Sequence, residues 1–333
     1  MTPSARPTPA RRRSSRRARA TPTTVAAIAS VPMAGSSRRH PVLGLGLWGL
    51  GRWGPEDEAR TKATIARAWE QGIRWFDTAE VYGNGRSERL LGEVLLRSAG
   101  GAADAFVVTK VSWEHLRPSQ VRAALIGSLE RLGRASVDLY LVHAPDPHVP
   151  LADTMGALED LWRQKKVGAI GVSNFSVEEL EEAGRHLGEA RIAVNQVEYN
   201  LFYREEGDAV REYCAKQGIL IEAYTPLARG LLHGRYADGR RVPAEVRRFA
   251  HRLFEGDRLP EILTRVRRLG DLATEAQVPL ASIALHWLER RGALPVVGMS
   301  RPEQVDANLA AWAARPSDAV LARADAIARG ADA

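Results

Sequence analysis

From residue 42 onward, short apolar runs alternate with longer stretches of helical period, the pattern of βα units on a parallel sheet. The runs at Val42–Leu47, Ile73–Phe76, Phe106–Thr109, Leu139–Val142, Ala169–Val172, Ala193–Val197, Ile219–Ala223 and Leu294–Val297 predict eight strands. Amphipathic stretches near 57–71, 87–97, 118–132, 153–165, 176–186, 207–217, 260–276 and 302–311 predict a helix after each. Pro118-Ser119 and Ser176-x-x-Glu179 stand before apolar runs as helix starts, and Gly72, Gly133 and Gly218 follow the last turns as helix stops. Eight consecutive right-handed units fit a closed sheet better than an open one. The expected fold is therefore α/β: a single-domain (β/α)8 TIM barrel over residues 41–318, with a helix or tail over 319–333.

One segment breaks the rhythm. Residues 228–259, after the seventh strand, carry Gly230, Gly234, Gly239, Pro243 and Gly256 among Arg and His. Loops this long in a compact domain are usually functional, and one at the C-terminal end of a barrel strand suits a cofactor or substrate cover.

The 333 residues are 45% hydrophobic and 26% charged, enough for one large core. A net charge of +7 suggests an anionic partner until its location is read. Residues 1–40 hold nine arginines and no acid, which leaves 38 basic against 40 acidic residues in the remainder. A near-neutral body has no electrostatic motive for nucleic acid. The arginine-rich segment, with Pro3, Pro7, Pro9, Pro22 and Pro32, lacks an apolar face and is expected to be a disordered basic N-terminal tail over 1–40. A targeting role would need the apolar stretch Val25–Val31, which Ser30 and Pro32 interrupt; a start at Met33 is another reading. No run of about 20 apolar residues is present, so no membrane span is expected and the cytoplasm is the expected compartment. The one cysteine, Cys214, lies in a helical pattern and reads as a buried structural thiol.

Gly44-Leu45-Gly46-Leu47-Trp48-Gly49 matches the G-x-G-x-x-G dinucleotide fingerprint, with Asp77 as the ribose acid. In that fingerprint the glycines open a helix and the acid follows about 20 residues on. Here Trp48 and Trp53 intervene, no helix can begin before Pro55, and Asp77 lies 28 residues past Gly49. The glycines read instead as a tight strand-to-loop turn.

Polar residues follow or end the apolar runs: Asp77, Lys110, His143, Ser173-Asn174, Gln196 and Tyr224. In a barrel these ends converge on the face where active sites are built. His143, Asp146 and His148 invite a metal reading, but Pro145 and Pro147 constrain the segment and no third histidine ligand accompanies them, so no metal is expected.

The segments Phe76-Asp77-Thr78-Ala79-Glu80-Val81-Tyr82-Gly83, Thr109-Lys110, Leu141-Val142-His143, Gly171-Val172-Ser173-Asn174-Phe175, Asn195-Gln196-Val197-Glu198-Tyr199-Asn200 and Tyr224-Thr225-Pro226-Leu227-Ala228-Arg229-Gly230 resemble, in order and spacing, the motifs of the aldo-keto reductase superfamily. Gly298-Met299-Ser300-Arg301-Pro302-Glu303-Gln304, with Asn308, extends the resemblance, which runs from about residue 42 to 311.

What the resemblance implies is NADPH-dependent reduction of an aldehyde or ketone, reversibly, by a tetrad of Asp77, Tyr82, Lys110 and His143. The chemistry fits the residue types. A carbonyl needs a hydride on carbon and a proton on oxygen. Tyrosine ordinarily titrates near 10, and a cationic Lys110 held by Asp77 would lower that value, while His143 would orient the substrate oxygen. The resemblance also implies that Ser173, Asn174 and Gln196 hold the nicotinamide carboxamide and that Tyr224 stacks on its ring. Thr225, Leu227 and the loop to Leu231 would wrap the pyrophosphate. Gly298, Ser300, Arg301, Gln304 and Asn308 would meet the adenosine end, with Arg301 as the reason for NADP over NAD. Trp48, Trp113 and Ala144 would line the substrate pocket.

The sequence departs from the family pattern at Thr225, where Ser is common, at Ala307, where an acid often precedes the asparagine, and at Ala144, where a bulky residue is frequent. The last change would widen the pocket. Two other functions share the barrel: a non-catalytic NADP-binding regulatory subunit, and a phosphate-sugar isomerase, which would not need Tyr224, Ser173 and Asn174 together. Substrate identity, physiological direction and oligomeric state are not legible.

Overall fold

The computed structural model describes residues 29–48, 55–234 and 258–331. Eight parallel strands close into the expected barrel: β3 (Gly44–Gly46), β4 (Trp75–Asp77), β5 (Phe106–Val111), β6 (Leu139–Val142), β7 (Ile170–Ser173), β8 (Ile192–Glu198), β9 (Leu220–Tyr224) and β10 (Ala293–Gly298), with β10 pairing back on β3. Each strand is covered by helices on its outer face and by its neighbours inside. That double burial is why the strands read as continuous apolar runs rather than as alternating ones.

The helices expected from the pattern are present: α1 (Pro55–Glu70), α2 (Arg86–Arg97), α4 (Pro118–Leu132), α5 (Leu151–Arg163), α6 (Val177–Arg185), α7 (Glu205–Gln217), α8 (Arg258–Glu275) and α10 (Pro302–Ala313), with a one-turn α3 (Gly101–Asp104) between α2 and β5. At the start of α6, Ser176 and Glu179 satisfy each other's backbone N–H groups, at 3.2 and 2.8 Å, as the S-x-x-E spacing predicts. Gly72, Gly133 and Gly218 all have left-handed φ, which is the reason a glycine ends those turns.

Four findings correct the sequence reading. Residues 30–40, placed in the tail, instead form with Pro41 a two-stranded antiparallel hairpin, β1 (Ser30–Val31) with β2 (His40–Pro41). Arg38 and Arg39, counted as tail charges, are tied down: Arg38 pairs with Asp138 and Arg39 donates to the Ser30 carbonyl at 2.6 Å. Met33 and His40 are buried. The remainder of the tail reading lies outside the described residues.

The second correction is a missing helix, α9 (Leu280–Arg290), which is buried on nearly every side and so shows no amphipathic period to read. Third, α11 (Asp318–Arg329) is not a separate appendage. Its Asp325 accepts from Trp287 Nε1 at 2.8 Å and pairs with Arg204 at 2.8 Å, which fastens it to α9 and α7. Fourth, Gly44 and Gly46 lie within β3 rather than in a turn. A Cβ at Gly44 would stand 2.3 Å from the Trp75 ring, so glycine is what lets that ring lie against the strand. Gly49 and Trp53 fall outside the described residues.

Cys214 is free and buried, and burial pushes its thiol up to about 12. It is therefore an inert packing residue.

Candidate active site

Barrel register gathers the polar strand ends at one mouth. Asp77 closes β4, Lys110 is the penultimate residue of β5, His143 follows β6, and Ser173 and Tyr224 close β7 and β9. Tyr82 comes from the turn after β4. The Lys110 ammonium sits 2.7 and 2.8 Å from the two Asp77 oxygens, 2.9 Å from the Thr78 carbonyl and 3.4 Å from the Tyr82 hydroxyl. The Tyr82 and His143 rings meet edge to face at 5.5 Å. All four members of the predicted tetrad are thus brought together.

A wholly buried ammonium is tolerable only when paired and saturated with hydrogen bonds, and Asp77 supplies both. Burial alone would lower the Lys110 pKa, but Asp77, Tyr82 and Glu222 together hold it above its ordinary value. Asp77 is raised by burial against the pull of Lys110. The expectation for Tyr82 needs correcting in sign. Burial raises its pKa above the ordinary value, and Lys110 opposes that rise without reversing it. Tyr82 therefore stands protonated at neutral pH, the form a proton donor requires.

His143 is held down to about 3, first by burial and then by Lys110, so its imidazole is neutral. Its Nδ1 is buried and has no partner among the described residues. A neutral imidazole carries one ring hydrogen, so one of its nitrogens can donate to a substrate oxygen. Asp146 and His148 bond to each other at the surface, at 2.9 Å, while His143 faces Tyr82 and Trp113.

Beside the tetrad the residues expected at a nicotinamide are already linked. Asn174, left-handed at φ 61°, donates to the His143 carbonyl and to Ser173 Oγ, both at 3.1 Å, and accepts from the Tyr224 hydroxyl at 2.9 Å. Ser173 donates to the Gln196 main-chain carbonyl at 2.8 Å. Gln196 spends both amide hydrogens inward, on Asp77 at 2.8 Å and on Glu222. That leaves its carbonyl oxygen as the group available to a ligand.

After β9, Thr225, Ala228, Arg229 and Gly230 all adopt positive φ. For a β-branched threonine this is costly, and it is held by bonds from Thr225 Oγ1 to Glu198 at 2.8 Å and from Asn200 to the Thr225 carbonyl at 3.1 Å. Within the turn, Ala228 N–H donates to the Thr225 carbonyl and Gly230 N–H to the Leu227 carbonyl, both at 2.9 Å, which fixes the left-handed run. Leu227 is buried at its base. Gly298 has open space where a side chain would project.

Ahead of α10, the Gln304 side-chain oxygen accepts from Ser300 N, Ser300 Oγ and Arg301 N at 2.7, 3.0 and 3.1 Å. Gln304 is thus first a helix cap, with only its amide hydrogens left for a ligand. Arg301 is exposed beside it. Asn308 is buried and its Oδ1 has no partner among the described residues, an orphan acceptor that an exocyclic amine would satisfy.

The three residues expected in a substrate pocket surround the mouth less tightly. Trp48 and Trp113 are 48% and 46% exposed, high for indoles. Arg229 lies over the Trp48 ring at 5.1 Å, bridging the first and seventh loops. Ala144 is half-buried next to His143. Sequence reasoning missed two residues, Glu222 and His40. A carboxylate inside the apolar run Ile219–Ala223 is the signal that could have found the first; nothing local marks the second.

A closed (β/α)8 barrel carrying a buried Asp-Lys-Tyr-His constellation at its C-terminal mouth defines a carbonyl-reductase class of site. The aldo/keto reductase family model matches residues 42–329, and the chain belongs to that family. It is 32% identical over 291 residues to the Bacillus subtilis aldo-keto reductase YhdN, covering 83% of this chain and 87% of that one. Among solved structures it resembles the glycerol dehydrogenase AKR11B4 of Gluconobacter oxydans, at 27% identity and TM-score 0.80, covering 90% and 94% of the two chains. It also resembles an aldo-keto reductase from Klebsiella pneumoniae in complex with NADPH, at 27% identity and TM-score 0.71, covering 89% and 93%.

Proposed function

We propose that the chain reduces an aldehyde or ketone to the alcohol, reversibly, with NADPH as hydride donor and Tyr82 as proton donor. The observation that carries this reading is the contact of the Tyr82 hydroxyl with an ammonium locked on Asp77, with a neutral imidazole edge-on to the tyrosine ring. Bound NADPH supplies a hydride to the carbonyl carbon. The protein's own part is to orient the carbonyl oxygen through the His143 ring N–H and to deliver the Tyr82 proton to it. As the phenolate forms, Lys110 stabilises it, and Asp77 keeps that cation in place.

The residues present fit the dinucleotide. Ser173, Asn174 and the free carbonyl oxygen of Gln196 would hold the carboxamide, and Tyr224 would cover one ring face and so fix the direction of transfer. The left-handed turn at 228–230 and the Arg301 guanidinium would meet the pyrophosphate and the 2′-phosphate. Asn308 Oδ1 would accept from the adenine amine. The NADPH complex of the Klebsiella relative supports NADPH as the cofactor.

The test is a panel of aldehydes, ketones and alcohols with NADPH and NADP+, followed by absorbance of the reduced cofactor. Turnover of at least one carbonyl that is lost in Tyr82→Phe supports the reading. Tight NADPH binding without turnover of any carbonyl would favour a non-catalytic subunit instead.

A further inference from the structure

Beneath the tetrad lies a second polar pair that the reaction chemistry does not itself use. His40, on the hairpin before the first barrel strand, is fully buried with its ring between Trp75 and Phe106, at 4.4 and 4.6 Å between centroids. Its Nδ1 lies 2.7 Å from the Pro41 carbonyl and its Nε2 lies 2.7 Å from Glu222 Oε1. Glu222 is equally buried, in β9, and its other oxygen accepts from Gln196. Gln196 in turn donates to Asp77, the partner of Lys110.

We propose that Glu222, fixed by its contact with His40, is a positioning residue for the nicotinamide end of the cofactor site: it holds the Gln196 amide nitrogen inward and so presents the Gln196 side-chain carbonyl oxygen to the carboxamide. The inference rests on the dinucleotide reading above.

The proton count follows from the contacts. A carbonyl oxygen can only accept, so Nδ1 carries a hydrogen. The 2.7 Å contact of Nε2 with Glu222 needs one more hydrogen between them, because two lone pairs would repel. That shared hydrogen holds the Glu222 carboxyl against the ring. Among the described residues no other charged group is paired with the ring, and Arg38, 5.8 Å from the Phe106 ring centroid, is engaged by Asp138.

The positioning follows from donor and acceptor type. An amide can turn over, exchanging its oxygen for its nitrogen, unless its neighbours forbid it. Two carboxylates on one side of Gln196 forbid it, since either would meet the amide oxygen lone pair to lone pair. Asp77 alone, already shared with Lys110, offers one acceptor; Glu222 supplies the second and occupies both amide hydrogens.

The experiment measures cofactor affinity without substrate, by fluorescence titration with NADPH and with its 3-acetylpyridine analogue, whose methyl group replaces the carboxamide NH2. Glu222→Met removes the acceptor, and NADPH affinity should fall about three- to tenfold while the analogue stays within about twofold. Glu222→Gln should restore NADPH binding, because its carbonyl can accept from Gln196 and its NH2 can donate to a neutral His40. Equal losses for both cofactors in Glu222→Met, or none, would overturn the proposal. Should that variant fail to fold, the 15N spectrum of the Gln196 side-chain amide in the unaltered protein decides. Two amide hydrogens protected from exchange with and without NADPH uphold the inward orientation, and rapid exchange of either overturns it. An unaltered chain that binds neither dinucleotide would instead reject the cofactor reading itself.

Discussion

Tyr224 donates its hydroxyl hydrogen to Oδ1 of Asn174 across 2.9 Å, joining the end of β9 to the left-handed turn after β7. The bond fixes the Tyr224 side chain against the turn. Tyr224→Phe keeps the ring and should change NADPH affinity by no more than about twofold. Tyr224→Ala removes the stacking face, and a loss of about 0.5 to 1.5 kcal/mol beyond the buried area corresponds to roughly two- to tenfold or more. Calorimetric titration of both variants checks this; equal losses would show that the hydroxyl, not the ring, is what the cofactor meets.

The exposed Arg301 beside the cap of α10 should discriminate between the two dinucleotides. Arg301→Ala removes a forked contact available to a 2′-phosphate, which predicts a loss of about tenfold for NADPH and almost none for NADH. Titrating both cofactors against the variant measures it, and parallel losses would move the phosphate contact elsewhere.

His143 makes a prediction about acid stability. Its folded pKa is about 3 against an ordinary 6.5, so below pH 6.5 the unfolded chain takes up a proton that the folded chain refuses. The sign is then fixed: this residue's contribution to stability falls as pH drops from 6.5 toward 3, at up to about 1.4 kcal/mol per unit. His143→Asn, which cannot titrate, should lose stability less steeply over that window. Urea melts of both proteins at pH 7, 6, 5 and 4 give the slopes, and identical slopes would mean that the imidazole is solvated.

The hairpin leads to a prediction opposite to the one the tail's composition suggests. A chain beginning at Met33 lacks β1, the Ala29 carbonyl that accepts from Val42 N at 3.0 Å and the Ser30 carbonyl held by Arg39. Losing a few such bonds costs about 1 to 3 kcal/mol, a fall of roughly several degrees in Tm relative to a chain beginning at Ala29. Calorimetry on the two truncations separates this hairpin from everything before it.

These cases also show where sequence reading stops. The barrel was legible because its strands are buried on both faces, which writes each as an unbroken apolar run ending in a polar residue. Asp77, Lys110, His143 and Tyr224 stand at those ends and could be read from order alone. The helix Leu280–Arg290 could not, since a helix buried all round has no polar face. His40 was hidden among arginines, because a composition argument averages over the segment and the ring's partners lie 182 and 35 positions away, at Glu222 and Trp75. Gln304 was assigned to the ligand when its oxygen was already needed by the helix start. The direction of the Tyr82 shift was beyond the sequence for a similar reason: a nearby lysine can be read from a motif, but the depth of burial that outweighs it cannot.

Tyr82 is the proposed proton donor, and its substitution is the most direct test. Tyr82→Phe removes only the hydroxyl, which makes one long contact of 3.4 Å with Lys110, so the fold and the dinucleotide contacts should survive. The reductive rate should fall by the roughly 10² to 10⁴ expected for a lost general acid, about 3 to 5 kcal/mol of barrier. Lys110→Met should be comparably slow for a different reason. It removes the one cation that opposes burial at the tyrosine, so the phenolate left by proton transfer becomes harder to form, and it also strands Asp77 as a buried carboxylate without a counter-charge. The two variants are separable: Lys110→Met should melt at lower temperature than the unaltered chain, whereas Tyr82→Phe should not. If Tyr82→Phe binds NADPH normally and reduces the best carbonyl at close to the unaltered rate, the proton comes from another group and the assignment of the acid is wrong.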